Sequence, residues 1–283
     1  MTLSEMQTIA SETLAQFIKV MSAVPFTAKD IVIEFAPKTK MAQRTEELYQ
    51  KYAPEKKLNE SQAKQLITDT GGNAIIGRNK SAVILCINTR ISDQELRCVC
   101  FQEFTHIFCA KFEMDDEHFI DTYGSGTTPE REMTASEKQY DGLLVSGYFV
   151  WSEFIAQYYA LKHTEKLRPT VKQMSHYIDG MLSEVGHIDN TGEKYAMAFA
   201  CARLITCKDA EEQVSYLKEN NEDDLPELKA FQSCLFLLYD HMQNGQPWKI
   251  SEDFISELGS KYLYFKVVNS DFGKLIADLG GDD

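Results

Sequence analysis

The sequence predicts an α+β fold, with strands confined to the first third of the chain and helices filling the remainder. Three observations carry this. Two short β-branched runs, IVIEF at Ile31–Phe35 and the apolar segments either side of Gly77-Arg78-Asn79-Lys80, have strand character. Helical periodicity with side-chain caps brackets them, and from about Arg168 onward only helical patterns occur. The expected division is therefore an α+β part at 1–165 and a helical lobe at 166–283.

The elements follow in order. Leu3, Met6, Ala10, Leu14, Phe17, Ile18 and Met21 recur at helical spacing, and Thr2 with Glu5 supplies a capping box. After the first strand come two polar helices near 40–52 and 60–69. The pair of apolar runs around Gly77 then reads as a β-hairpin or a pair of sheet strands. Ser92 and Glu95 form a second capping box, opening a helix to about Phe112. DTYGSGTTPERE reads as a polar loop and Ser136 to about Leu161 as a long helix. Further helices are expected in TVKQMSHYIDGMLSEVG, EKYAMAFACARLI, DLPELKAFQSCLFLLYDHM and SEDFISELGSKYLY.

Composition bounds the function. A formal net charge of −14 opposes both a sequence-independent grip on nucleic acid and docking on anionic membranes. No apolar run reaches the roughly 20 residues of a membrane helix, and the first residues lack a signal-peptide pattern. Seven cysteines, odd in number and set in apolar stretches, are the usage of reduced, buried thiols, which places the expected home in the cytoplasm.

Two helices carry polar groups in apolar surroundings. In CFQEFTHIFCAKFE, at 100° per residue from His106, Val99, Gln102, Glu103, Cys109 and Ala110 fall within about 60°, while Phe104, Phe108 and Arg97 lie opposite. One narrow polar sector on an otherwise apolar helix marks an internal element. In GYFVWSEFIAQYYA, Glu153 shares its face with Ser146, Phe149, Val150, Ala156, Gln157 and Ala160, and the alanines leave room for a close neighbour. A buried carboxylate needs a partner, and each helix offers what the other lacks.

A helix bearing H-E-x-x-H followed by a helix bearing a lone Glu is the pattern of the gluzincin zinc metallopeptidases, and QEFTH at 102–106 resembles it. The resemblance implies a zincin-like fold over about 70–165, including an edge strand that pairs with an extended peptide. It further implies zinc held by His106 and Glu153, with Glu103 as the base that activates metal-bound water. Gln102 replaces the first ligand His as a neutral, weaker donor, and Gln157 stands where the family often carries the acid that orients that His. The two departures thus fall on one interacting pair of positions.

Two functions follow: a peptide-hydrolysing metallopeptidase with an altered metal site, or a pseudopeptidase whose cleft binds a protein or peptide. For the first, Cys109 is a candidate extra ligand, and His176, Tyr177 and His187 are candidates for stabilising an oxyanion. A remoter alternative is a di-iron carboxylate protein using Glu103-x-x-His106, Glu153 and Glu184-x-x-His187. Cys98 and Cys100 read as packing thiols and His118 as a surface residue.

Overall fold

The computed structural model describes residues 1–21, 24–68, 71–111, 116–125, 132–164, 190–219, 226–244, 247–248 and 250–269. It is mostly helical with one small mixed sheet, an α+β fold. The chain divides into two compact units. The first comprises Met1–Asp115 and Tyr159–Leu167, and the second Asp116–Tyr158 and Arg168–Asp283. The long helix α6 (Ala135–His163) therefore contributes its larger part to the second unit, where the sequence division places it in the first.

In the first unit α1 (Leu3–Val20) opens on the expected box: Thr2 accepts from the Glu5 amide while the Glu5 carboxylate accepts from the Thr2 amide at 2.6 Å. Strands β1 (Ile31–Ala36), β2 (Gly72–Ile75) and β3 (Ser81–Cys86) form a sheet of order β1-β3-β2. β1 runs parallel to β3 in the register Ile31↔Ser81, and β2 runs antiparallel to β3 in the register Gly72↔Leu85, so the predicted hairpin forms. Between β1 and β2 lie α2 (Met41–Tyr52) and α3 (Glu60–Thr68).

All six residues of β3 are buried, as a central strand covered on both faces requires. On one face Ala82, Ile84 and Cys86 join Met41, Leu48, Ala53 and Leu66 in an apolar cluster with α2 and α3. On the other lies α4 (Asp93–Lys111), capped by Ser92 and Glu95 as predicted.

α4 is seated by its aromatic side. Phe17 of α1 meets Phe101, Phe104 and Phe108 at ring-centroid distances of 5.6, 5.7 and 6.2 Å. Tilted and edge-on aromatic pairs of this kind add to the stabilisation that burial supplies. Arg97 ties the same two helices by donating to Glu12 at 2.8 Å while holding Asp93 at 3.0 Å within α4.

In the second unit α5 (Asp116–Tyr123) shows that Asp121, Thr122 and Tyr123, read from sequence as the start of a polar loop, are helical. Gly124 and Ser125 follow, with Ser125 donating to Asp141 at 2.9 Å. α6 opens on a capping box that the sequence also carries, Thr134 with Glu137. α7 (Asn190–Thr206), α8 (Ala210–Glu219), α9 (Pro226–Gln243) and α10 (Glu252–Val268) complete the described helices. The expected helix over 170–186 lies outside the described residues.

α6 and α10 cross at glycine. A Cβ on Gly147 would stand 1.9 Å from the Ile255 carbonyl oxygen, and one on Gly259 would stand 2.0 Å from that of Leu143. The backbones touch there because neither helix carries a side chain at the crossing.

Candidate functional site: the polar sector of α4 and the edge strand

Burial along α4 reproduces the predicted wheel with one exception. Between Cys98 and Ala110 the half-exposed residues are Val99, Gln102, Glu103, His106 and Ala110, and every other residue is buried. The exception is Cys109, 2% exposed, whose thiol burial pushes far above the ordinary cysteine range. Cys109 therefore packs on the apolar side of α4 and not in its half-exposed polar sector. Cys98 and Cys100 are buried packing thiols, as read from sequence.

The sector faces the start of the edge strand. A Cβ on Gly72 would lie 3.0 Å from Glu103 Cγ, 3.0 Å from Val99 Cγ1 and 3.0 Å from Leu85 Cδ2. Gly71 likewise has Val99 Cγ2 3.2 Å from its Cβ position. The Gly71-Gly72 pair lets the strand backbone run directly against the helix at Glu103. Sequence reasoning did not single out these glycines. Their signal was a Gly-Gly pair entering a strand, which marks close backbone approach.

Register fixes which backbone groups of β2 are unused. The Cys86 amide donates to the Gly71 carbonyl at 2.9 Å, so residues 71 and 86 face each other at a hydrogen-bonded position of the ladder. By antiparallel alternation Gly72 and Ala74 direct their N–H and C=O groups away from β3. Among the described residues no strand pairs with that outer edge.

The hairpin is also pinned to the far end of the helix. Lys111 donates its ammonium to the Gly77 carbonyl at 2.6 Å and to that of Arg78 at 3.0 Å. Partial burial lowers its pKa from the usual lysine value. β2 is thus held against α4 at Gly72 and, through the turn, at Lys111.

Glu153 and Gln157 belong to the second unit, where Glu153 is half-buried and Gln157 is 4% exposed. Around them Trp151, Phe154, Ile155, Ala156 and Ala160 are fully buried, so this stretch is internal as expected. None of Gln102, Glu103, His106, Glu153 and Gln157 is without a partner. His176, Tyr177, Glu184 and His187 lie outside the described residues, as does the His118 side chain.

The donor set can be weighed against zinc. The motif offers His106 and Glu153 as strong donors and the Gln102 amide as a neutral third, whereas catalytic zinc sites take three strong protein ligands. Among the described residues no group of three or more His, Cys, Asp or Glu side chains is arranged to hold a metal ion. Within the motif itself, Gln102 in place of a histidine leaves two strong donors where a gluzincin zinc site has three.

No described helix is long and apolar enough to cross a membrane, and all seven cysteines are free and buried. Comparison of the chain with protein-family models, with curated proteins and with solved structures finds no match in any of the three.

Proposed function

We propose that this protein is a cytoplasmic, zincin-like peptide-binding protein of gluzincin type, in which β2 takes an extended peptide as an added strand and the Gln102–Glu103–His106 sector of α4 lies beneath it. The observation that carries the reading is the contact of Gly72, on the unpaired edge of the sheet, with Glu103. Backbone groups at Gly72 and Ala74 supply sequence-independent hydrogen bonds to the peptide, and Glu103 and His106 meet whatever group reaches the helix. The three-strand sheet running straight into the polar helix supports the zincin-like reading. The Gln102/Gln157 pair favours binding without hydrolysis.

Peptide-bond hydrolysis is the second reading, supported by the retention of Glu103, which a purely binding cleft does not require. In it His106 and Glu153 would hold zinc, with Gln102 as a weak third donor and Gln157 behind it. Zinc, when bound, supplies an activated water; Glu103 is placed in that family to move its proton.

One set of measurements separates the readings. Ala74→Pro removes an outward amide donor while proline remains tolerated on an edge strand, and it is expected to weaken binding of fluorescent extended peptides about tenfold, the loss of one or two hydrogen bonds. Unchanged affinity would remove β2 from the site. Gln102→His is expected to raise zinc affinity strongly in a metal titration. Hydrolysis gained with that change and lost again in Gln102→His/Glu103→Gln would establish the gluzincin site. No zinc bound by Gln102→His would exclude it.

A further inference from the structure

A strand paired to the outer edge of β2 would run on past the turn between β2 and β3, residues 76–80. That turn is basic in a chain whose net charge is −14, and Arg78, Asn79 and Lys80 are exposed at its tip. It is also firmly seated. A Cβ on Gly77 would stand 2.3 Å from the Lys80 carbonyl oxygen and 2.4 Å from that of Tyr52, so the turn rests on the C-terminal end of α2. From α4, Lys111 holds the Gly77 and Arg78 carbonyls.

These anchors gather further charge. Lys51, exposed, carries its ammonium 5.0 Å from the centre of the Tyr52 ring. In the following loop Glu55 is succeeded by Lys56 and Lys57. Asp30 answers part of the charge, with Lys29 exposed beside it. The Thr27 amide and hydroxyl, each donating at 2.8 Å, hold the Asp30 carboxyl below its ordinary range, and Lys80 and Lys111 add to the effect. Glu113 and Asp115, which follow Lys111 in the sequence, lie outside the described residues. The inference therefore rests on Arg78 and Lys80, which stand on the turn itself.

Geometry sets what these two cations can meet. The outward groups of Gly72 and Ala74 place a bound strand alongside β2. Strand residues advance about 3.3 Å each, so just beyond the partner of Ala74 the peptide draws level with the turn. Backbone pairing at the edge is blind to sequence, whereas charge at the turn is not. Carboxylates arriving there gain charge-assisted contacts, and basic side chains are repelled. Because Arg78 and Lys80 are exposed, the preference is modest and yields to salt.

We propose that the β2–β3 turn, through Arg78 and Lys80, selects among extended peptides added to β2 those with acidic residues at the end that passes the turn. The inference rests on the β2-edge reading and adds the charge of the peptide to it.

The test uses the full chain and fluorescent peptides with both termini blocked. All share one neutral, β-prone core and carry either Asp-Asp or Asn-Asn at one end, with a second pair carrying them at the other end. At about 50 mM salt, Asp-Asp at one of the two ends is expected to bind about fivefold tighter than Asn-Asn there, the yield of two exposed ion pairs. At about 0.5 M salt the advantage should shrink to about twofold or less. The end that carries it gives the direction of the added strand. In Arg78→Glu/Lys80→Glu the order reverses, and the Asn-Asn peptide binds the tighter. Equal affinities of the wild type for Asp-Asp and Asn-Asn at both ends, with Ala74→Pro still weakening all the peptides, overturn this inference and keep the edge reading. An Asp-Asp advantage that survives Arg78→Glu/Lys80→Glu overturns it too, because the acid is then read elsewhere. If no peptide binds, both fall.

Discussion

Two places in this molecule depend on the absence of a Cβ, and they differ in what the missing atom would meet. At the α6–α10 crossing the neighbours of Gly147 and Gly259 are backbone carbonyls within 2.0 Å of the Cβ position. At Gly72 they are the side chains of Glu103, Val99 and Leu85, all at 3.0 Å. Backbone in a helix does not yield, whereas side chains turn by a few tenths of an ångström. The first contact therefore holds a unit together, and the second sets where a polar side chain stands.

The sharpest way to break this distinction is to add the same methyl at both places. Gly259→Ala is expected to cost ~3 kcal/mol, the upper end for overpacking because the helices must separate. That corresponds to a thermal midpoint lower by roughly 6–12 °C for a chain of this size, read by calorimetry. Gly72→Ala is expected to cost about 1 kcal/mol or less, since three side chains share the adjustment. Its effect belongs in function: displacement of Glu103 lowers affinity for extended peptides about tenfold. Equal stability losses would make Gly72 a packing residue and remove the observation on which the proposed function rests.

The same distinction explains what the sequence discloses. The polar sector of α4 was legible because a helix wheel needs only local spacing, and its neighbours, being Phe, Ile and Cys, are buried in any arrangement of the fold. Strands and hairpin were legible from β-branched runs around a turn. The Thr134/Glu137 box was legible too, immediately ahead of the helix whose start the periodicity places within one residue of Ala135. Contacts made across the chain were not. Lys111 reaches the turn carbonyls of Gly77 and Arg78, which are distant in sequence. Lys194 in EKYAMAF resembles any solvated lysine until Phe149 and Tyr262 close over it. Cys109 and Glu103 lie symmetrically about His106 on the wheel, and only tertiary packing decides that one is buried and the other open.

A smaller effect tests whether α10 is held by fit alone. His241 of α9 stacks on Phe254 of α10 with ring centroids 4.0 Å apart, and its Nε2–H donates to the Pro247 carbonyl at 3.2 Å. Burial lowers its pKa below 6.5, only partly opposed by that hydrogen bond. The sign follows from linkage: a histidine with a depressed folded-state pKa is protonated first in the unfolded chain. Stability is therefore full above the ordinary histidine value and is lost as the pH falls from there through the lowered folded value. His241→Phe retains a ring against Phe254 but cannot titrate. Between about pH 7.5 and 5.5, a window that brackets the ordinary histidine pKa, the urea midpoint of the wild type should fall further than that of His241→Phe, while carboxylate effects shared by both proteins cancel. Parallel midpoints would mean that His241 carries no linked proton, leaving the glycine crossing and its apolar surroundings to seat α10 by shape alone.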